Sequence, residues 1–80
     1  MARIKILAVS VQNPSANNIN EATMVSVTAT TAGVLTRADS LGQVIGNLYI
    51  PANATVLIEK ESTDTLTHAA AWATKIAYNV

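Results

Sequence analysis

The chain has 80 residues, half of them hydrophobic and 12% charged, with five Lys/Arg balanced by five Asp/Glu and no cysteine. That length holds a single domain, residues 1–80, with no room for a second core. The missing cysteines exclude disulfides and Cys-ligated zinc or iron–sulfur sites, and the single histidine, His68, excludes a multi-histidine metal site within one copy.

The cations Arg3, Lys5, Arg37, Lys60 and Lys75 are scattered along the chain and matched by Glu21, Asp39, Glu59, Glu61 and Asp64. No basic run is present to neutralise a phosphate backbone, which argues against nucleic acid as a partner. The apolar content is Ala, Val, Ile and Leu, with no Phe, one Trp (Trp72) and two Tyr (Tyr49, Tyr78). Well-dispersed soluble surfaces carry roughly 25–35% charged residues, far more than here. Zero net charge also leaves little self-repulsion. Small domains that lack disulfides and metals gain stability by oligomerisation, and this composition leaves that route open.

The N-terminal stretch Ile4–Val11 reads as a first strand, one-sided at its start and apolar on both faces thereafter. Its basic start and short apolar run do not make a signal peptide. Nor does any segment approach the roughly 20 apolar residues of a membrane span. The expectation is a soluble protein, cytoplasmic or particle-associated. Gln12–Asn20, with Pro14, Ser15 and four asparagines, reads as a loop. Thr23–Thr31 alternates cleanly: Met24, Ser26, Thr28 and Thr30 share one face, Val25, Val27 and Ala29 the other.

Gly33 marks a break. Beyond it, Asp39–Asn47 predicts one or two helical turns, with Asp39 or Ser40 as cap and Leu41, Val44 and Ile45 as the apolar stripe. Gly42 weakens that helix, because glycine there costs about 1 kcal/mol relative to alanine. Leu48–Ile50 reads as a short strand ending at Pro51. Thr55–Glu61 predicts another strand, with Val56 and Ile58 facing one way, Lys60 as their solvent end, and Leu57 opposite. Ser62–Thr65 reads as a turn. The last segment fits a helix from Thr67 by its alanines and a strand from Ala70 by its Trp72, Thr74, Ile76, Tyr78 alternation; strand is preferred. The fold class that results is α+β and mainly β: four or five strands, antiparallel or mixed, with one short helix, arranged like a β-grasp or a small partly open barrel.

No catalytic constellation is evident. His68 has no sequence neighbour that marks a nucleophile or substrate beside it. Glu59 and Glu61 share a strand face, as paired acid–base or cation-binding carboxylates would, but a solvated edge that discourages misplaced strand pairing is the preferred reading. Gly42–Gly46 lacks the spacing and lysine of a phosphate loop. Asn53-Ala54-Thr55 is a minimal glycosylation match without a secretory context. No cofactor or metal is implied.

Trp72 is read first as core and second as an interface anchor. With Ile76, Tyr78, Tyr49, Val25 and Val27 it makes up the candidate interface. The composition therefore predicts a non-enzymatic structural subunit that forms a homo-oligomer or coats a larger assembly, such as a virion. A monomeric adaptor using an exposed strand edge is the alternative. A small enzyme built on Glu59, Glu61 and His68 comes third, and needs a polar pocket joining all three.

Overall fold

The computed structural model describes residues 3–78. Eight strands follow one another: β1 (Ile4–Ile6), β2 (Val11–Gln12), β3 (Met24–Ala29), β4 (Gly33–Ala38), β5 (Val44–Ile50), β6 (Thr55–Glu59), β7 (Thr65–Thr67) and β8 (Ala71–Tyr78). They form two sheets. The larger runs β1-β8-β3-β6, with β2 also beside β8; the smaller runs β5-β4-β7. Every strand pairing is antiparallel.

No helix occurs among the described residues, so the fold is all-β. The α+β class, the short helix and the β-grasp-like or small-barrel arrangement of four or five strands give way to two sheets of eight strands. Asp39 is a cap, but of a hairpin. Its Oδ1 accepts the N–H groups of Leu41 and Gln43, each at 2.9 Å. Its own N–H donates to Gln43 O at 2.9 Å, closing the turn. Gly42 takes φ 87°, a left-handed value that no α-helix contains. The helix-like spacing of Val44 and Ile45 reflects a bulge instead. Arg37 pairs with Gly46 and Ala38 with Val44, which leaves Ile45 unopposed.

The core follows the alternation of β3. Val25, Val27 and Ala29 are fully buried, and Val27 and Ala29 sit opposite Ala73 and Ala71 of β8. Larger side chains beside alanines let facing layers interdigitate. Leu35, Ile50 and Leu66 of the smaller sheet and Ile19 of the connecting loop complete the buried cluster. Three crossings between the sheets, β3 to β4, β5 to β6 and β7 to β8, lie at one end. Asn53 N–H donates to Ala29 O and Ala29 N–H to Ala54 O there, while Thr30 N–H donates to Ala70 O.

Trp72 lies outside this core: it shares the opposite face of β8 with Thr74 and is 43% exposed. The N-terminal strand is split. β1 and β2 both lie along β8, with four residues (Leu7–Ser10) spanning two on β8 (Thr74, Lys75). Gly33 opens β4 rather than breaking the chain. A Cβ there would meet the His68 ring at 3.3 Å, so glycine is what permits this close approach. Thr65, read as part of a turn, begins β7.

Candidate functional site

One flank between the sheets is sealed. Asn17 and Leu66 exchange backbone hydrogen bonds at 3.1 and 2.9 Å, His68 N–H donates to Pro14 O at 2.9 Å, and Ala16 N–H donates to Thr67 Oγ1. The Asn13–Ala22 loop therefore covers the free edge of β7. Asn13, Ala16, Ile19, Asn20 and Glu21 all adopt left-handed φ between 46° and 59°. Such values suit Asn but strain the others, β-branched Ile19 most of all. The strain is held in place by burial of the Ile19 side chain and by Lys60. Lys60 is not a solvent end. It is buried, and its Nζ donates to the carbonyls of Ala22 (2.6 Å), Asn18 (2.9 Å) and Glu61 (3.2 Å). Burial lowers its pKa from 10.5, against the opposing pull of the Asp64 charge.

The other flank is open. A groove of about 260 Å³ runs between β5 and β6, walled by Leu35, Ile45, Leu48, Leu57, Ile58 and Leu66, with Arg37 and Glu59 as its charged members. Arg37 donates from Nε (2.8 Å) and Nη2 (2.6 Å) to Asp64 Oδ2. This pairing holds the Asp64 carboxyl below its usual value of 3.8, with help from the Glu61 N–H. The ion pair thus fastens β4 to the β6–β7 connection at the groove floor.

From Val44 to Tyr49, β5 stands along this groove with both faces exposed. Val44 is 64% exposed, Ile45 52%, Leu48 45% and Tyr49 62%. At Gly46 nothing lies within 4 Å of where a Cβ would sit. Among the described residues β5 pairs only with β4, so its other edge has no strand partner. A long, apolar edge strand without charge is a template for further pairing.

The larger sheet presents a second surface, uncharged but for Glu59. Register puts Gln12, Trp72, Thr28 and Thr55 in one cross-strand row and Thr74, Ser26 and Leu57 in the next. The hydroxyls satisfy one another: Thr28 with Thr55 at 2.7 Å, Ser10 with Thr74 at 2.6 Å. Ile4 and Ile6 lie on this same face and are exposed, while Ile76 between them and β3 is buried.

The expected interface residues are dispersed. Trp72 and Ile76 share the outer face of the larger sheet, but only Trp72 is accessible. Tyr78 pairs with Ile4 through its backbone; its side chain lies outside the described residues. Tyr49 belongs to β5, on the other sheet. Val25 and Val27 are wholly buried and face inward, so within the protomer neither reaches a partner. The sequence reading missed Val44, Ile45 and Leu48. Their signal was present: Ser40 through Ile58 contains no charged residue.

Glu59 borders the groove, but Glu61 and His68 do not line it, so it is not a pocket joining all three. His68 is buried and accepts the Ala70 N–H at Nδ1, which places the proton of its neutral ring on Nε2. Nε2 has no hydrogen-bond partner among the described residues. No group of three or more His, Asp or Glu among the described residues is placed to hold a metal ion. No helix among them is long and apolar enough to cross a membrane. No protein-family model, curated protein or solved structure significantly matches the chain.

Proposed function

We propose that this chain is a non-enzymatic structural subunit that self-associates or coats a larger protein assembly, of which a virion or similar particle is one instance. The observation that carries the reading is a pair of separate, nearly uncharged exposed surfaces, one on each sheet: the β5 strand, and the Trp72 face of the larger sheet. One such patch suits a single partner. Two patches on different sheets suit a subunit with neighbours on two sides. The only charged group in the cross-strand rows of the Trp72 face is Glu59, opposite Met24.

Solution mass by light scattering across a wide concentration range, at low and high salt, tests this. Concentration-dependent assembly that survives high salt is expected, because the proposed contacts are apolar and scarcely screened. A strict monomer throughout contradicts self-association. The monomeric adaptor remains the second reading, favoured by the unpaired, uncharged β5 edge, which suits a foreign strand as well.

A further inference from the structure

We infer that β5 pairs antiparallel with β5 of a second copy about a two-fold axis through Asn47, which joins the two three-stranded sheets into one; this inference rests on the self-association reading. Comparison of the available edges selects the strand. β1 carries Lys5 next to Arg3, and β6 ends in Glu59 followed by Lys60 and Glu61. The edge of β7 is occupied by the Asn13–Ala22 loop. β5 alone is long, exposed from Val44 to Tyr49 and free of charge from end to end. Bringing two copies of it together opposes no like charges, whereas the same operation on β1 or β6 does.

Geometry then selects the register. A two-fold axis normal to the sheet keeps every residue on its own face. Directly opposed residues must therefore be an even number of positions apart in the strand. The bulge at Ile45 ends the regular alternation, so centring the axis on Asn47 opposes the regular stretch Gly46–Leu48 with itself, and the pairs that result are complementary in size. Gly46, with empty space where a Cβ would be, faces the partner's Leu48. Asn47 faces the partner's Asn47, where two amides can donate to and accept from each other. Being isologous, this contact closes at a dimer. Any larger assembly then needs the Trp72 face as its second contact.

Asn47 is exposed and makes no side-chain hydrogen bond among the described residues, so it can be recharged without disturbing the fold. Asn47→Lys and Asn47→Asp are each expected to lose the β5 contact, because like charges then oppose one another across the axis. An equimolar mixture of the two is expected to regain it as a heterodimer. Urea midpoints of both variants check that the protomer is intact. The chain is cysteine-free, so Asn47→Cys gives an unambiguous second readout: a covalent dimer under mild oxidation, with Thr28→Cys on the other sheet face as the control that stays uncrosslinked under the same brief conditions. A self-associating wild-type chain whose Asn47→Lys and Asn47→Asp forms keep its mass, or whose Asn47→Cys form does not crosslink, overturns the β5 pairing while the structural-subunit reading stands. A wild-type chain monomeric at every concentration overturns both.

Discussion

The two flanks between the sheets are treated in opposite ways. Where β7 meets the Asn13–Ala22 loop, the gap is closed by backbone hydrogen bonds, a fully buried Ile19, and a buried ammonium gripping three carbonyls. Where β5 faces β6, the gap stays open and lined with leucine and isoleucine. Closing the first flank requires strained backbone at several non-glycine positions, which costs of order 1 kcal/mol each. At the second flank Asn53, an amide that tolerates φ 63°, and Gly42 are the only left-handed residues among those described, both in turns beyond the ends of β5. The covered β7 edge and the bare β5 edge thus differ in what the protomer supplies to them, and the bare one is the surface that the proposed pairing with a second copy uses.

The contrast is broken most strongly by truncating one leucine on each of the two strands, β7 and β5. Leu66→Ala empties a fully buried site in β7 and is expected to destabilise the protomer by about 3 kcal/mol. Leu48→Ala on the half-exposed β5 is expected to cost less than about 1 kcal/mol. Urea unfolding at a dilution where the chain is monomeric measures both. Equal losses mean that β5 is as integral to the protomer as β7.

Lys60→Met keeps the aliphatic stem but strips the clamp from Ala22, Asn18 and Glu61. A loss of about 2 kcal/mol is expected, the penalty for carbonyls left without a partner exceeding the relief of a buried charge. Because burial lowers the Lys60 pKa, the unfolded chain holds this proton more tightly than the folded one. Wild-type stability therefore gains from this group as pH rises toward 10.5, and the variant lacks that gain.

Asp64→Asn loosens the floor between the flanks. Arg37 depresses the Asp64 pKa, so its contribution is fully present above the unfolded value of 3.8 and is lost as pH falls through the lower folded value. The variant is expected to be less stable at neutral pH and to show a flatter acid limb. Urea midpoints collected from about pH 2 to pH 7 show whether the two curves converge at the acid end. Curves that stay parallel throughout contradict a stabilising Arg37–Asp64 pair.

The smallest effect runs the other way. Glu21 is exposed at φ 58°, so Glu21→Gly removes strain without removing packing. A gain of about 0.5–1 kcal/mol is expected, read as a higher urea midpoint. A loss locates the stability of that turn in the glutamate side chain.

How legible these features were depended on whether their cause was local. The faces of β3 and β6 follow from period-two alternation, so Val25, Val27, Val56 and Ile58 were oriented from the sequence, and β8 was preferred as a strand for the same reason. Lys60 was oriented correctly and still misjudged. A cation at the end of an apolar face ordinarily reaches solvent, and only the carbonyls delivered by a loop some forty residues earlier hold it inside. The Asp39–Asn47 helix failed because an aspartate caps a hairpin with the same hydrogen bonds it gives a helix, and a bulge at Ile45 imitates helical spacing. β4 was invisible for another reason: it is framed by the close approach of Gly33 to His68 and by the Arg37–Asp64 pair, both long-range. Of the candidate site, Tyr49 and Trp72 were named as contacts, but their placement on different sheets depends on a topology that alternation alone does not determine.

Hydrogen–deuterium exchange at increasing protein concentration tests the contrast between the flanks most directly. Amides of Val44–Ile50 are expected to exchange quickly at high dilution and to become protected as concentration rises, while Asn17 and Leu66 stay protected throughout. Exchange in β5 that is independent of concentration, in a chain whose mass shows it to be associating, contradicts the claim that the open flank is the assembly surface.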